Sequence, residues 1–252
     1  MKDKCKTFQP ACTGKKWLSL ELPVMEYREA WDLQTQLVHA KRDRIIDEDV
    51  VLLLEHLPVF TLGRQGNREH LLVTEAFLRS RQISVIHVER GGDITYHGPG
   101  QLVVYPIVNL RTARCRVVEF VEALEEVMIR TASDWGITAK RNAINRGVWI
   151  GSKKKLGSIG IAVRRGMSFH GFAFNVNITL EPFSWIDPCG LEDVKVTSMK
   201  QVLGGEIAMG DIRRAVSFHI QEIFGVQLEH VSLEHIHCLL GFQENRLEMK
   251  SI

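Results

Sequence analysis

Apolar positions along this chain follow two spacings, and each change of spacing marks an element. Trp17-Leu18-Ser19-Leu20-Glu21-Leu22 alternates and predicts a strand that Pro23 ends. From Met25 to about Ile46 the spacing is helical, with Tyr27, Trp31, Leu33, Leu37 and Val38 on one side. Val50 to Leu54 is an unbroken apolar run and predicts a central strand. Glu55 to Pro58 then reads as a turn, and Val59 to Arg64 as a short extended piece. Thr74 is placed to cap a short helix carrying Phe77 and Leu78, and Ile83 to Val88 is a further strand. Leu102 to Val108 is a second buried strand. Val117 to about Trp135 is a helix with Val118, Val121, Leu124, Val127, Met128 and Ala132 on one face, and Gly136 ends it. Three β-type segments follow (147–150, 156–163 and 168–178), the first two joined by a hairpin over Gly151 to Lys154. A last helix spans Gly210 to Gly225. Strands and helices mix without strict alternation. The expected fold is α/β in the broad sense, or α+β, as one domain over 16–252 behind a flexible tail over 1–15.

Composition changes this picture little. The 252 residues are 45% hydrophobic and 25% charged, ordinary for a soluble globular protein. No apolar run is long enough to cross a bilayer, and the basic, polar start carries no secretory signal. Five scattered cysteines without a C-x-x-C pair read as reduced thiols, so a cytoplasmic setting is expected. Net charge is only +2, but Lys140 to Arg165 holds eight Lys and Arg residues and no acid. Such a segment attracts acidic partners: a nucleic acid, or an acidic carrier protein.

Candidate chemistry concentrates in a few stretches. Arg90-Gly91-Gly92-Asp93-Ile94-Thr95-Tyr96-His97-Gly98-Pro99-Gly100-Gln101 is a glycine-rich polar loop feeding a core strand, a common way to hang a site on a rigid element. Cys189 sits in Asp187-Pro188-Cys189-Gly190, a tight turn that presents its sulfur instead of burying it. A thiol reacts as thiolate and needs a cation beside it. The candidates are the Lys153-Lys154-Lys155 run, His97 and His170, the last standing in an apolar strand where a satisfied core histidine is the ordinary reading.

In order, Arg-Gly-Gly-x-x-Thr-Tyr-His-Gly-Pro-Gly-Gln, Lys-x-x-Ser-Ile-Gly, His-Gly-Phe-Ala-x-Asn-Val, Asp-Pro-Cys-Gly and Val196-Thr197-Ser198 closely resemble the octanoyltransferase (lipoyl(octanoyl) transferase) family from about residue 17 to residue 225. The resemblance implies a biotin/lipoate protein ligase-like fold: a mixed, mostly antiparallel sheet flanked by helices. It implies octanoyl transfer from octanoyl-acyl carrier protein through a cysteine thioester to a lysine of lipoyl domains, the first step of protein lipoylation. The acceptors would be 2-oxoacid dehydrogenases and the glycine cleavage H protein. Cys189 matches the nucleophile and Lys155 the lysine that activates it. The octanoyl surface would come from Arg90, Gly91, Gly92, Asp93, Ile94, Thr95, Tyr96 and His97, from Ser158, Ile159 and Gly160, and from Gly171, Phe172 and Ala173. Gly157 stands where alanine is usual. No cofactor, metal, nucleic acid or membrane is called for. The competing expectations are an ATP-dependent lipoate ligase, which would not need Cys189, and a nucleic-acid-binding module built on the basic segment, which lacks interleaved aromatics.

Overall fold

The computed structural model describes residues 14–142, 145–187 and 194–241. Most of the expected tail, and the Pro188-Cys189-Gly190 turn, lie outside them. The chain runs β1 (Lys15–Met25), α1 (Tyr27–Arg42), β2 (Asp49–His56), β3 (Val59–Leu62), α2 (Glu75–Ser80), β4 (Ser84–His87), β5 (Ile94–His97) and β6 (Gln101–Ile107). It continues through α3 (Val117–Asp134), β7 (Lys140–Arg141), β8 (Val148–Ile150), β9 (Lys154–Arg164) and β10 (Met167–Asn175). After the undescribed turn come β11 (Lys195–Val196), α4 (Met199–Leu203), α5 (Met209–Phe224), β12 (Val226–His230) and α6 (Leu233–Leu239).

The main sheet has the order β12-β1-β2-β6-β10-β9-β8-β7, with β11 beside β9. Its β12–β1, β1–β2 and β11–β9 pairs are parallel and the other pairs antiparallel, so it is mixed and mostly antiparallel. Helices cover both faces, which is why the central strands are apolar at every position. In β2, Val51 and Leu53 join the cluster under α3 and α5, while Val50, Leu52 and Leu54 join the cluster under α1 and α6. Strand β6 divides the same way, Leu102 and Val104 against Val103, Tyr105 and Ile107. Each such side chain contributes roughly 1.5–3 kcal/mol on burial.

Three expectations about boundaries change. Strand β1 continues past Pro23, because a bulge between Glu21 and Val24 lets a residue without an N–H sit in the strand. Strand β2 runs through Glu55 and His56, which were expected to turn. Part of the glycine-rich loop is itself a strand: β5 pairs with β3, and β3 with β4, as a small second sheet. Phe60, Leu62, Leu78, Tyr96 and Trp185 form the core beneath it. Thr74 caps α2 as expected, its hydroxyl accepting from the Phe77 N–H at 3.2 Å. Gly136 (φ +72°) and Gly225 (φ +63°) both take the left-handed conformation just past α3 and α5.

Strand β9 positions the site. It is paired with β8 only up to Gly157. Beyond that point, among the described residues, its outer edge meets the main chain of the glycine-rich loop, where the Gly91 N–H donates to Ile161 C=O at 3.0 Å.

Candidate active site

A cavity of about 890 Å³ lies where this edge of β9 faces the glycine-rich loop, the start of α3 and the chain on both sides of the undescribed turn. One wall is the loop itself. The buried Arg90 guanidinium donates to Thr61 C=O (2.7 Å), Thr61 Oγ1 (2.8 Å), Asp93 C=O (2.8 Å) and Gly91 C=O (3.0 Å). Arg90 therefore acts first as the internal brace of the loop. The packing allows no side chain at Gly63, whose Cβ would fall 2.3 Å from Gly92 C=O, nor at Gly160, where it would fall 2.8 Å from Gly91 C=O. Asp93 Oδ1 accepts from the Ile94 N–H at 2.7 Å. Its Oδ2 lies 2.6 Å from His70 Nδ1 and raises the His70 pKa above the usual imidazole value, chiefly through that hydrogen bond.

The floor is polar in composition and neutral in charge. His56 Nε2 lies 2.7 Å from the Tyr105 hydroxyl, and Tyr27 stands 4.9 Å from the His56 ring and 5.8 Å from the His97 ring. Burial pushes the His56 imidazole down to about 4 and His97 well below its ordinary value. It pushes the Tyr27 phenol up to about 12 and holds Tyr105 well above its usual value. His170, also buried and lowered by desolvation, sits at φ +54°, with its N–H donating to Gln34 Oε1 at 2.7 Å. At neutral pH these groups carry no charge; Tyr27, His97, Tyr105 and His170, with Val103, Phe172 and Ala173, line a space suited to an alkyl chain, and His56 packs against Tyr27 and His97. The floor is tied outward. His97 Nδ1 lies 2.7 Å from Gln101 Oε1, Gln101 Nε2 donates to Asn175 Oδ1 (2.9 Å), and Asn175 Nδ2 donates to Thr197 C=O (3.0 Å). The Thr197 N–H in turn donates to Lys155 C=O at 2.9 Å.

Lys155 stands at the mouth. Its Nζ donates to Asn145 Oδ1 at 2.7 Å and lies 5.2 Å from the Trp149 ring centroid. Trp149 Nε1 donates to Asn145 C=O at 3.1 Å. The Asn145–Gly147 segment is anchored from below by Glu125 of α3, whose Oε1 accepts from the Gly147 N–H at 2.9 Å. Glu125 Oε2 faces Arg141 Nε (3.3 Å) and Arg146 Nη1 (3.5 Å). Gly147 (φ +123°) leaves no room for a Cβ, which would fall 2.4 Å from Gly157 C=O and 3.1 Å from Lys155 Cε. The acid-free basic segment is thus threaded with acids from elsewhere: Glu125 and Glu126 hold Arg141, and Glu89 holds Arg164 at 3.0 Å.

Arg90, Gly91, Gly92, Asp93, Ile94, Thr95, His97, Lys155, Ser158, Ile159, Gly160, Gly171, Phe172 and Ala173 all line this one cavity. Tyr96 does not. It points into the core of the small sheet, 5.2 Å from Phe60 and 5.5 Å from Phe183 between ring centroids, because strand alternation turns it away from Thr95 and His97. Cys189 lies outside the described residues, but Asp187 and Val194, which flank its turn, both line the cavity. Sequence reasoning missed Tyr27, Tyr105, Val117, Val118 and Asn145 as lining residues. The first four read as helix or strand core positions, and Asn145 carried no motif. Cys115 is no rival nucleophile, since burial pushes its thiol up to about 12.

The lipoyl protein ligase A/B catalytic domain family matches residues 26–221. The chain is 45% identical over 207 residues to an octanoyltransferase of Desulfotalea psychrophila, covering 82% of this chain and 93% of that protein. An octanoyltransferase of Syntrophobacter fumaroxidans is 43% identical over 227 residues, 90% of this chain and 99% of the relative. The chain belongs to the octanoyltransferase family. As an octanoyltransferase it shares its fold with lipoate-protein ligases. Lipoate-protein ligase A solved with ATP superposes with a TM-score of 0.69 at 15% identity, over 91% of this chain and 93% of the other. The bi-partite lipoate protein ligase of Thermoplasma acidophilum gives 0.69 at 15% identity, over 90% of this chain and 91% of the other. The expected ligase-like sheet is therefore present, and the non-enzymatic alternative falls away. Among the described residues no helix is long and apolar enough to cross a membrane.

Proposed function

We propose that this octanoyltransferase takes the octanoyl group from octanoyl-acyl carrier protein onto Cys189 and passes it to a lysine of lipoyl domains, those of 2-oxoacid dehydrogenases and the glycine cleavage H protein. The observation that carries this reading is the Lys155 amine, held by Asn145 in a cavity whose floor of Tyr27, His97, Tyr105 and His170 is uncharged, with Asp187 and Val194 lining the same cavity on either side of the undescribed residues. Cys189 is two residues in sequence from Asp187, about 7 Å of chain at most.

The chemistry balances without ATP. The Cys189 thiolate attacks the thioester carbonyl, and the carbon–sulfur bond to pantetheine breaks. Lys155, as ammonium, supplies the proton that leaves with the pantetheine thiol. Once neutral, Lys155 takes a proton from the acceptor amine as that nitrogen attacks the acyl-Cys189 carbonyl. Cys189 leaves as thiolate, and the charged pair is restored. An oxyanion formed in either step would be served by a main-chain N–H at Gly92 or near Gly190, the Gly91 N–H being donated to Ile161 C=O. The chain would lie along Val103, Phe172 and Ala173, over Tyr27 and Tyr105.

Incubation with octanoyl-acyl carrier protein and no acceptor should add one octanoyl group to the peptide carrying Cys189, read by mass spectrometry. Cys189→Ala should lose both adduct and turnover. Near-normal turnover by Cys189→Ala would overturn the covalent route, and strict dependence of turnover on ATP would favour the ligase reading instead.

A further inference from the structure

Three segments distant in sequence meet at the end of β9 away from Lys155. The Leu110 N–H donates to Gly166 C=O at 2.9 Å, and the Arg111 side chain lies across Gly166 in the β9–β10 turn. This brings the exposed Arg111, with Arg114 and Arg116 after it just ahead of α3, up to the β9–β10 turn, whose Arg165 faces the other way, toward Val38, His39 and Arg42 of α1. Arg116 pairs with Glu119 at 2.6 Å. Among the described residues no carboxylate stands within ion-pair distance of Arg111, Arg114 or Arg165, and Asp43, whose charge is felt nearest Arg165, is engaged by Arg42 at 2.6 Å. Next to these cations Val117 and Val118, at the start of α3, are 45% and 53% exposed and open into the same cavity as Lys155. An apolar step preceded in the chain by three exposed cations, of which Arg116 alone has a carboxylate partner among the described residues, is complementary to an acidic protein surface with apolar residues among its acids.

Reach decides which substrate this surface serves. From Lys155 to Ile161, which lines the cavity beside Val117 and Val118, is six strand steps, about 20 Å. A phosphopantetheine arm has roughly the contour of five or six extended residues, about 20 Å. An acceptor lysine has only its four-carbon stem, so its domain must sit over Lys155 itself. The two substrates are thereby sorted to opposite ends of one cleft.

We propose that the arginine-rich surface of Arg111, Arg114 and Arg116, with Val117 and Val118, docks the acyl donor, an acidic carrier protein whose phosphopantetheine arm runs down the cavity to Lys155. This rests on the thioester donor proposed above. The test compares Arg111→Glu/Arg114→Glu and Arg111→Gln/Arg114→Gln with the parent, using octanoyl-acyl carrier protein and the protein-free donor octanoyl-pantetheine. The Glu pair should raise KM for the carrier about tenfold or more with kcat nearly unchanged, the Gln pair less, and added salt should narrow the gap. Turnover of octanoyl-pantetheine and KM for the lipoyl domain should stay at the parent's values. An unchanged carrier KM, a rise confined to the lipoyl domain, or an equal loss with octanoyl-pantetheine in the Gln pair would each overturn the proposal. A parent unable to transfer octanoate from either donor would instead sink the thioester route itself.

Discussion

Two polar clusters share one cleft and end in opposite electrical states. The floor holds Tyr27, His56, His97, Tyr105 and His170, all buried, with His56 and His97 lowered and both tyrosines raised by desolvation. The shelf at the mouth holds the buried Glu125 with Arg141, Arg146 and Lys155, which meet opposite charges or amide oxygens, the two arginines lying partly in solvent. The difference is not in residue type, since either set could ionise. It lies in whether a counter-charge arrives with burial. Where burial comes without one, or outweighs one as at His170 with Glu89 3.9 Å from its Nε2, the neutral form wins and the surface suits an alkyl chain. Where glutamates of α3 come up beneath the arginines, charge survives and a proton-transfer group can be held.

The comparison breaks most sharply at Lys155. Lys155→Ala should lower turnover by about 10²–10⁴-fold, the ordinary range for a lost acid–base group. Lys155→Arg keeps the charge but hardly deprotonates. It should leave alkylation of Cys189 by iodoacetamide near the parent's rate at neutral pH while transfer to the lipoyl lysine falls about 10²-fold. Equal transfer rates for Lys155→Arg and the parent would reduce Lys155 to a fixed charge.

Next in size is the anchor under the shelf. Glu125→Ala removes one of two carboxylates facing each of Arg141 and Arg146, Glu126 and Glu122 remaining, and leaves the Gly147 N–H without its acceptor. The arginines are partly in solvent, so the loss should be mainly that of the buried N–H acceptor, about 1–3 kcal/mol in denaturant unfolding. Glu125→Gln, which keeps an acceptor for Gly147, should cost less. A Glu125→Ala protein as stable as its parent would mean that the 145–147 segment holds itself.

The smallest effect sharpens the floor. His56 in the fold titrates at about 4, below the usual 6.5, so the unfolded chain binds the proton more readily. Its contribution to stability is complete above pH 6.5 and is lost as pH falls through about 4. The whole loss is at most on the order of 3 kcal/mol. His56→Gln should flatten the fall of the melting temperature between pH 6.5 and 4, and His97, lowered in the same direction, should keep part of the slope. An unaltered slope in His56→Gln would place the acid sensitivity elsewhere.

The long elements were legible because their patterns are local. Strand β2 and helices α3 and α5 lie close to where apolar spacing put them. The short strands were not. β7, β11 and β12 are two to five residues long, and each exists because a longer strand offers it an edge: β8 for β7, β9 for β11 and β1 for β12. Strand β5 was hidden among glycines whose turns dominate the sequence signal. Tyr96 shows the limit within a motif. It belongs to the glycine-rich string by sequence, yet alternation about β5 sends it into the core.

The sequence by itself determined the order and spacing of the candidate residues: the glycine-rich string, Lys155, the Ser158–Gly160 and Gly171–Ala173 stretches and the segment around Cys189 are readable as an ordered set. The charge each group bears was decided only in three dimensions. Eight basic residues without an acid between them look like one positive field, yet Glu89, Glu125 and Glu126 arrive from other segments to neutralise part of it. Burial and counter-ions are properties of neighbours in space. Coulomb energies fall off with distance in ångströms, whatever the separation in residues.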